Sequence, residues 1–296
     1  MSIAIDLSQL PVPTVVEAID FEAIFAELLA DLISRYPAFD VPAESDPIYK
    51  VLEVAAYREM LVRQRVNEAA RAVMLAYAAK EDLDNLGALF NVRRLQISPG
   101  DPTAIPLIPP VYETDADFRR RILLSLQGLS TAGPEGAYIY HALSAAGVVL
   151  DASATSPNPG EVVVTVLARD GDGTASSELL NTVDNAVSAE DVRPLTDYVI
   201  VQSAEILPYA IAATLYFYPG PDSQVVLAEA EQMAQRYANE QHRLGKDITL
   251  SGLYAALHRP GVQRVEMTSP TATINVNRQQ AAYCTRITLI DGGIDE

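Results

Sequence analysis

The first third of the chain alternates apolar and polar positions with the period of an α-helix. Apolar residues recur at steps of three and four between residues 21 and 36, which predicts a helix with one broad apolar face. Pro37 and Pro42 follow this segment and are expected to end it. Thr14 and Glu17 have the spacing of a capping box, so we expect the helix to be capped there.

A second helix is predicted to begin at Ser45 or Asp46, with Pro47 at the favoured first position, and no breaker follows until about Lys80. Such a helix of about 34 residues would be about 50 Å long. This second helix carries two apolar stripes, and the first helix is too short to cover both. Either the later domains or partner chains in a helical bundle should therefore cover the remaining apolar surface. One stripe consists of Val51, Leu52, Ala55, Val62, Val66, Ala69, Val73 and Tyr77, and the other of Val54, Tyr57, Leu61 and Leu75.

The segment after the long helix is predicted to form a short helix and then a boundary. The short helix covers residues 80–95, with Leu83, Leu86 and Leu89 turned inward. Residues 98–111 contain five prolines, which indicates a linker or an ordered extended arm.

Two further helices are predicted beyond the prolines. Thr114 and Asp117 form a capping box for a helix that ends near Gly128, and the other helix covers residues 134–146. The arginine run at 119–121 is interpreted as a solvated face beside neighbouring carboxylates.

After Gly147 the apolar period changes from 3.6 to 2, which predicts strands alternating with helices. The fold class is therefore α+β: an N-terminal long-helix bundle region followed by two small α/β modules. The predicted strands cover 148–155, 161–168, 195–203, 206–218, 262–268, 272–276 and 284–290, and the helices cover 175–189, 223–241 and 249–258. The predicted domains are a helical region (1–97), a Pro-rich arm (98–112), a helical connector (113–147) and the modules 148–205 and 206–296.

The charge of the chain argues against nucleic acid as a partner. The net charge is −18, and phosphate binding requires clustered Lys and Arg. Residues 1–47 hold nine Asp or Glu against one Arg, which is either a solvated acidic face or a match to a basic partner surface. A single cysteine excludes an internal disulfide, and neither a signal peptide nor a membrane-spanning apolar run is recognised.

Candidate chemistry is sparse. Residues 170–173 (DGDG) begin like a calcium loop, but its twelfth position is Asn181 and not Glu, so a Gly-rich turn is predicted. Cys284 is interpreted as a buried structural thiol. The widely spaced His141, His242 and His258 suggest packing or hydrogen bonding, and Asp82/Asp84 and Asp115/Asp117 lie at helix starts, where capping explains them. We therefore predict no catalytic residue, no metal ligand and no cofactor, and a protein that is not an enzyme.

Five stretches stand out, and the fourth is the most specific of them, because so long a pattern is hard to reach by chance. They are AYAAKEDLDNLGALFNVRRL (76–95), ETDADFRRRI through AGPEGAYIYHALSA (113–145), PGEVVVTVLARDGDGTAS (159–176), EDVRPLTDYVIVQSAEILPYAIAATLYFYPGPD (190–222) and HRLGKDITLSGLYAALHRPGVQRVE (242–266). Together they resemble the baseplate J-like family of P2-like phages. Members of this family are wedge proteins in the baseplates of contractile phage tails and tailocins. Gly87 stands where Ala is common in that family.

The resemblance implies a structural role and a set of partners. In this family two copies pair with one smaller I-type baseplate protein to form a wedge, and six wedges form a ring that opens when the sheath contracts. Neighbouring wedges, a sheath-initiator protein and the central spike or hub proteins are further expected partners, whereas nucleic acid and membrane insertion are not expected. The protein would be made in the bacterial host cytoplasm and become part of a virion tail or a released tail-like particle.

The resemblance also implies a three-chain bundle of the N-terminal helices, where we place the permanent contacts. The contacts that open are expected on the C-terminal modules, and the Pro-rich arm is expected to let the two copies follow different paths. The expected bundle residues are Phe21, Phe25, Leu28, Leu32, Leu61, Val62, Val66 and Val73.

Two other classes of protein stay open at this point. A tail-associated hydrolase would need a convergent polar pocket. A general oligomeric scaffold or adaptor would form a stable small oligomer without other tail proteins. Both a genome-carrying phage and a headless bacteriocin are consistent with the pattern.

Overall fold

A computed structural model of the chain describes residues 7, 10, 11, 13, 17–37, 43–220 and 222–295. The chain divides after Arg93 into two compact units, within Ile3–Arg93 and Arg94–Glu296. The elements of both units confirm the predicted α+β fold class.

The described residues of the N-terminal unit form three helices, two of which pack together. Their common core contains Ile24, Phe25 and Ala56, all buried, and the rings of Phe25 and Tyr49 lie 4.8 Å apart. Burial of these apolar side chains is the main force that holds the pair together. The helices are α1 (Phe21–Arg35), α2 (Pro47–Ala72) and α3 (Lys80–Leu89).

The cap of α1 differs from the prediction. The side chain of Asp20 accepts hydrogen bonds from the N–H groups of Glu22 at 2.9 Å and Ala23 at 3.4 Å, so the helix begins there. The predicted capping box at Thr14 and Glu17 is wrong as the start of this helix, because Glu17 precedes it without helical structure, and Thr14 lies outside the described residues. Asp caps a helix at least as well as Thr, and Asp20 lies directly before the apolar pattern.

The long helix is shorter than predicted. Asp46 caps α2 with Pro47 at the first position, as expected, but the helix ends at Ala72 and not near Lys80. The chain then turns, and the N–H groups of Tyr77 and Ala78 both donate to the carbonyl of Met74. No Gly or Pro marks this turn, so tertiary packing overrides helix propensity here.

Helix α3 confirms two of its three predicted inward leucines. Leu83 is fully buried and Leu86 is half-buried, whereas Leu89 is 77% exposed. Leu89 lies six positions after Leu83, about 240° around the helix, and therefore points away from the buried side.

The C-terminal unit begins with the proline-rich segment, which forms a hairpin. Strands β1 (Gln96–Ser98) and β2 (Val111–Tyr112) pair antiparallel, and Asp101 and Ile108 exchange two backbone hydrogen bonds further along. The side chain of Ile105, at the tip, is fully exposed. Helix α4 (Asp115–Gly128) follows, capped by Thr114 as predicted.

The central module comprises one three-stranded sheet with helices packed on it. Strand β4 is the middle strand, antiparallel to β3 and parallel to β5. The predicted strand from residue 195 begins only at Tyr198, since Leu195 lies in a loop and is 99% exposed. The module consists of α5 (Glu135–Ala145), β3 (Val149–Thr155), β4 (Glu161–Ala168), α6 (Ser177–Val187) and β5 (Tyr198–Ser203).

The C-terminal module has a second three-stranded sheet, with β6 in the middle, antiparallel to β7 and parallel to β8. Helices α7 and α8 pack on the face formed by the alternate buried residues of β6. The predicted strand 272–276 is wrong, because Ile274 makes only an isolated bridge with Ile248. The module consists of β6 (Glu205–Phe217), α7 (Ser223–Gln241), α8 (Leu250–Leu257), β7 (Val262–Ser269) and β8 (Gln280–Ile294).

Candidate assembly surface and buried ion pairs

Helix α2 carries apolar side chains on a face that α1 leaves uncovered. The residues that face α1 follow steps of three and four from Tyr49 through Leu52, Ala56 and Met60. The valines between them point elsewhere, because a step of two residues rotates the side chain by about 200°. The exposed side chains are Ile48 (43%), Val51 (67%), Val54 (62%), Tyr57 (51%), Leu61 (38%), Val62 (62%) and Val66 (55%), and we call them the α2 stripe.

The eight predicted bundle residues fall into two groups. Phe25 is buried in the α1–α2 core, Phe21 and Leu28 are partly buried against that core, and Leu32 is half-buried, so the chain's own fold already covers much of this group. The remaining four are exposed and available to another chain. They are Leu61, Val62 and Val66 on the α2 stripe and Val73 (71% exposed) at its C-terminal end.

A polar clasp ties the segment before α1 to α2, and sequence reasoning missed it. Asn67 is buried; its amide nitrogen donates to the carbonyl of Glu17 at 2.8 Å, and its amide oxygen accepts from the Glu17 N–H at 3.1 Å. One turn earlier, Arg63 pairs with Glu59 at 2.6 Å and Glu27 at 3.3 Å. A surface cavity of about 300 Å³ lies here, lined by Glu17, Val62, Arg63, Val66 and Asn67.

Replacing Asn67 with Ala should loosen the clasp. The change removes both hydrogen bonds between Asn67 and the backbone of Glu17, each of which contributes about 0.5–1.5 kcal/mol. We expect faster amide exchange at Glu17, measured by hydrogen-exchange mass spectrometry, while the C-terminal unit exchanges as before. Unchanged exchange at Glu17 would contradict the clasp.

The C-terminal unit contains a buried ion pair next to its first hairpin. Glu113 and Arg121 have side chains only 3% and 5% exposed and form two hydrogen bonds, at 2.5 and 3.1 Å. Glu113 also accepts from the N–H of Leu95 at 2.8 Å, which fixes the hairpin to α4. The prediction that arginines 119–121 form a solvated face is therefore wrong for Arg121, because α4 turns it toward Glu113 and Ser144.

Asp117 lies between two arginines from different modules. One carboxylate oxygen accepts from Arg169, just after β4, at 2.8 Å, and the other accepts from Arg243, just after α7, at 3.0 Å. Burial disfavours the charged form of Asp117, but Arg243 and Arg169 outweigh it and hold the pKa of the carboxyl group below its usual value.

Asp151 forms a second connection between the modules. Its side chain is buried on β3, where one oxygen accepts from Arg120 at 2.8 Å and the other from the N–H of Leu244 at 3.1 Å. Arg243 in turn donates to the carbonyl of Leu150 at 2.7 Å. Each buried charge in this group therefore has a partner, as burial requires.

The lowered pKa of Asp117 predicts an acid-dependent loss of stability. Its folded pKa lies below the unfolded value of about 3.9, so its contribution is fully present above that range and is lost as the pH falls through the folded pKa. We expect the difference in unfolding free energy between wild type and Asp117→Asn to stay constant above about pH 6 and to shrink below about pH 4. Urea denaturation across this range would measure it, and an equal difference at about pH 3 would contradict it.

The other candidate residues lie apart from this ion-pair group or support backbone structure. Residues 170–173 form the predicted turn, in which Gly173 adopts a φ of +99° and its N–H donates to the carbonyl of Asp170. His141 lies in α5 near the carbonyl of Gly128, and His242 bonds the carbonyl of Ala282. The prediction that His258 lies within a helix is wrong, because α8 ends at Leu257 and His258 is its C-cap.

Cys284 is half-buried on β8, and burial raises the pKa of its thiol, which disfavours the nucleophilic thiolate. Across the described ranges, no group of three or more His, Cys, Asp or Glu side chains is placed to hold a metal ion. No helix among the described residues is long and apolar enough to cross a membrane.

Known proteins and protein families match this chain along most of its length. Three family models match: the Baseplate J-like N-terminal domain over residues 44–101, the Baseplate J-like central domain over 130–203 and the Baseplate J-like protein C-terminal domain over 209–290. The chain is 54% identical over 299 residues to Baseplate protein J of Escherichia phage P2, covering 99% of each. A chain in the cryo-EM structure of the anti-feeding prophage baseplate shows a TM-score of only 0.37 and 13% identity, covering 61% of this chain and 44% of that one.

The family models and the phage P2 relative define the class: a structural protein of phage tail baseplates. The chain belongs to the baseplate J-like family, as the sequence pattern predicted.

Proposed function

We propose that the protein is a wedge component of the baseplate and that the α2 stripe is where other chains join it. The observation that carries this proposal is the row Val51, Val62 and Val66, each more than half exposed on one helix of a folded pair. Exposed apolar surfaces of this kind mark sites of protein association. The cavity beside Val62 and Val66 offers space for a partner's side chain.

The expected occupants are a second copy of the chain and a smaller I-type baseplate protein, in a three-chain helical bundle. A bundle suits a permanent contact because its buried surface is large and apolar, whereas contacts that release are smaller and more polar. We place the releasing contacts, between neighbouring wedges and toward the sheath initiator and spike, on the C-terminal unit.

In this role the protein is a structural part of a tail or tail-like particle, assembled in the host cytoplasm, and not an enzyme. The family membership supports a structural role. The pattern of charge agrees with it, because the largely buried arginines Arg121, Arg169 and Arg243 are each held in an ion pair with a carboxylate.

Co-expression with the protein encoded next to this one in its source genome tests the proposal. Size-exclusion chromatography with light scattering should show one complex of two copies of this chain with one partner. A stable monomer or homo-oligomer that ignores the neighbouring protein would favour a general scaffold and contradict the wedge.

A further inference from the structure

We infer that the central and C-terminal modules move as a single rigid body, locked together by Asp117 and Asp151 across the junction between their sheets. Both modules lie within the C-terminal unit, so their rigidity does not depend on the wedge proposal.

The covalent connection between the modules has almost no slack. Strand β5 ends at Ser203 and strand β6 begins at Glu205, so a single residue, Ala204, joins the two sheets. Ala204 is 6% exposed, and its N–H donates to the carbonyl of Val166 at 2.9 Å. The N–H of Glu205 then donates to the carbonyl of Gln279 at 3.0 Å. The chain therefore passes from one sheet into the other within a single residue.

A small apolar cluster fills the junction on both sides of this residue. Leu167 from the central sheet and Ala281 from the C-terminal sheet are fully buried against Ala204, with Leu150, Ile206 and Leu244 packed around them. Apolar contact alone would allow the modules to slide, because it has no direction.

The two aspartates add directional ion pairs and hydrogen bonds between the modules. Asp117 holds Arg169 of the central module and Arg243 of the C-terminal module on its two oxygens, and Asp151 holds the backbone N–H of Leu244. Further links join the hydroxyl of Ser153 to the carbonyl of Arg278 at 2.5 Å and the amide of Gln279 to the hydroxyl of Thr155 at 3.3 Å. Any rotation of one module against the other would separate buried charges, which is costly in a low-dielectric interior.

The consequence for a baseplate is mechanical. When the C-terminal module is displaced, the central module moves with it, because the chain does not bend at Ala204. A rearrangement of the particle then has to take place outside this junction.

Spin labels on the free full-length chain test the lock. In a Cys284→Ser background, cysteines replacing Ser156 on the β3–β4 turn and Ser251 on α8 carry the labels, since both side chains are exposed. Double electron–electron resonance measures the distance between the two labels. It should give one narrow distribution for the labelled chain with both aspartates, and a broadened, shifted one when Asp117→Asn and Asp151→Asn are combined. Amide exchange at Leu244 should accelerate at least about tenfold, because its charged acceptor is lost.

Asp115→Asn is the matched control, since Asp115 lies in the same first turn of α4 but pairs with Arg94, away from the junction. It should leave the distance distribution narrow. If the double variant keeps both the narrow distribution and the wild-type exchange at Leu244, the aspartates do not lock the modules. Asp151→Asn alone serves if circular dichroism shows that the double variant is unfolded, and wild-type behaviour of that single variant would equally overturn the inference.

Discussion

Replacing Glu113 with Gln is expected to destabilise the protein by about 3–5 kcal/mol, because the buried guanidinium of Arg121 then loses the carboxylate of Glu113. Both side chains are at most 5% exposed, so water does not compensate for the lost carboxylate. The amide keeps the size of the side chain, which confines the effect to charge and hydrogen bonding. Since the chain contains no Trp, urea unfolding is best followed by circular dichroism.

An exposed ion pair provides the matched control. Arg264 pairs with Asp295 at 2.8 Å, but both side chains are about two-fifths exposed, so water screens the pair and Arg264→Gln should cost far less stability than Glu113→Gln. Combining Glu113→Gln with Arg121→Met should recover part of the loss, because the buried charge of Arg121 is then removed together with that of Glu113. Equal costs for Glu113→Gln and Arg264→Gln would contradict the role assigned to the buried pair.

The fold was predictable where local pattern decides structure. The β3–β4 hairpin, α7 with its preceding Asp222, and the capping of α4 by Thr114 all follow from periodicity and cap chemistry. The end of α2 was not predictable in this way, because the residues that follow Ala72 are good helix formers and only tertiary contacts turn the chain.

The buried charges were harder to predict, although one signal was present. Arg121 lies three residues after Phe118 and directly before Ile122, both fully buried, so it falls within the apolar sector of α4. A charged residue in such a sector needs a partner. The identity of that partner depends on tertiary structure, since Arg243 approaches Asp117 from 126 residues away.

The α2 stripe illustrates the same limit at the level of assembly. Periodicity correctly indicated that α2 has more apolar surface than α1 covers. It did not separate Leu28, which is partly buried against the α1–α2 core, from Val66, which remains exposed. That distinction changes what a substitution tests, because Leu28→Asp would disrupt the chain's own core as well as any bundle.

Val66→Asp should therefore abolish wedge assembly while leaving the isolated chain folded. Val66 is 55% exposed, so the free chain accepts a carboxylate there at little cost. In the proposed bundle the same carboxylate would be buried without a partner. The substitution also removes about 1.5–3 kcal/mol of valine burial. Because both effects weaken the bundle, we expect the affinity for the I-type protein to fall at least about a hundredfold.

The matched control is Gln64→Asp, which places the same charge on α2 two residues earlier, at an exposed position outside the α2 stripe. It should assemble like the wild type in the co-expression experiment. The thermal unfolding midpoints of both variants should stay within a few degrees of the wild type, since neither position contributes to the α1–α2 core. If Val66→Asp and Gln64→Asp assemble equally well, the α2 stripe is not the joining surface, and the exposed side chains of the C-terminal unit become the next surface to test.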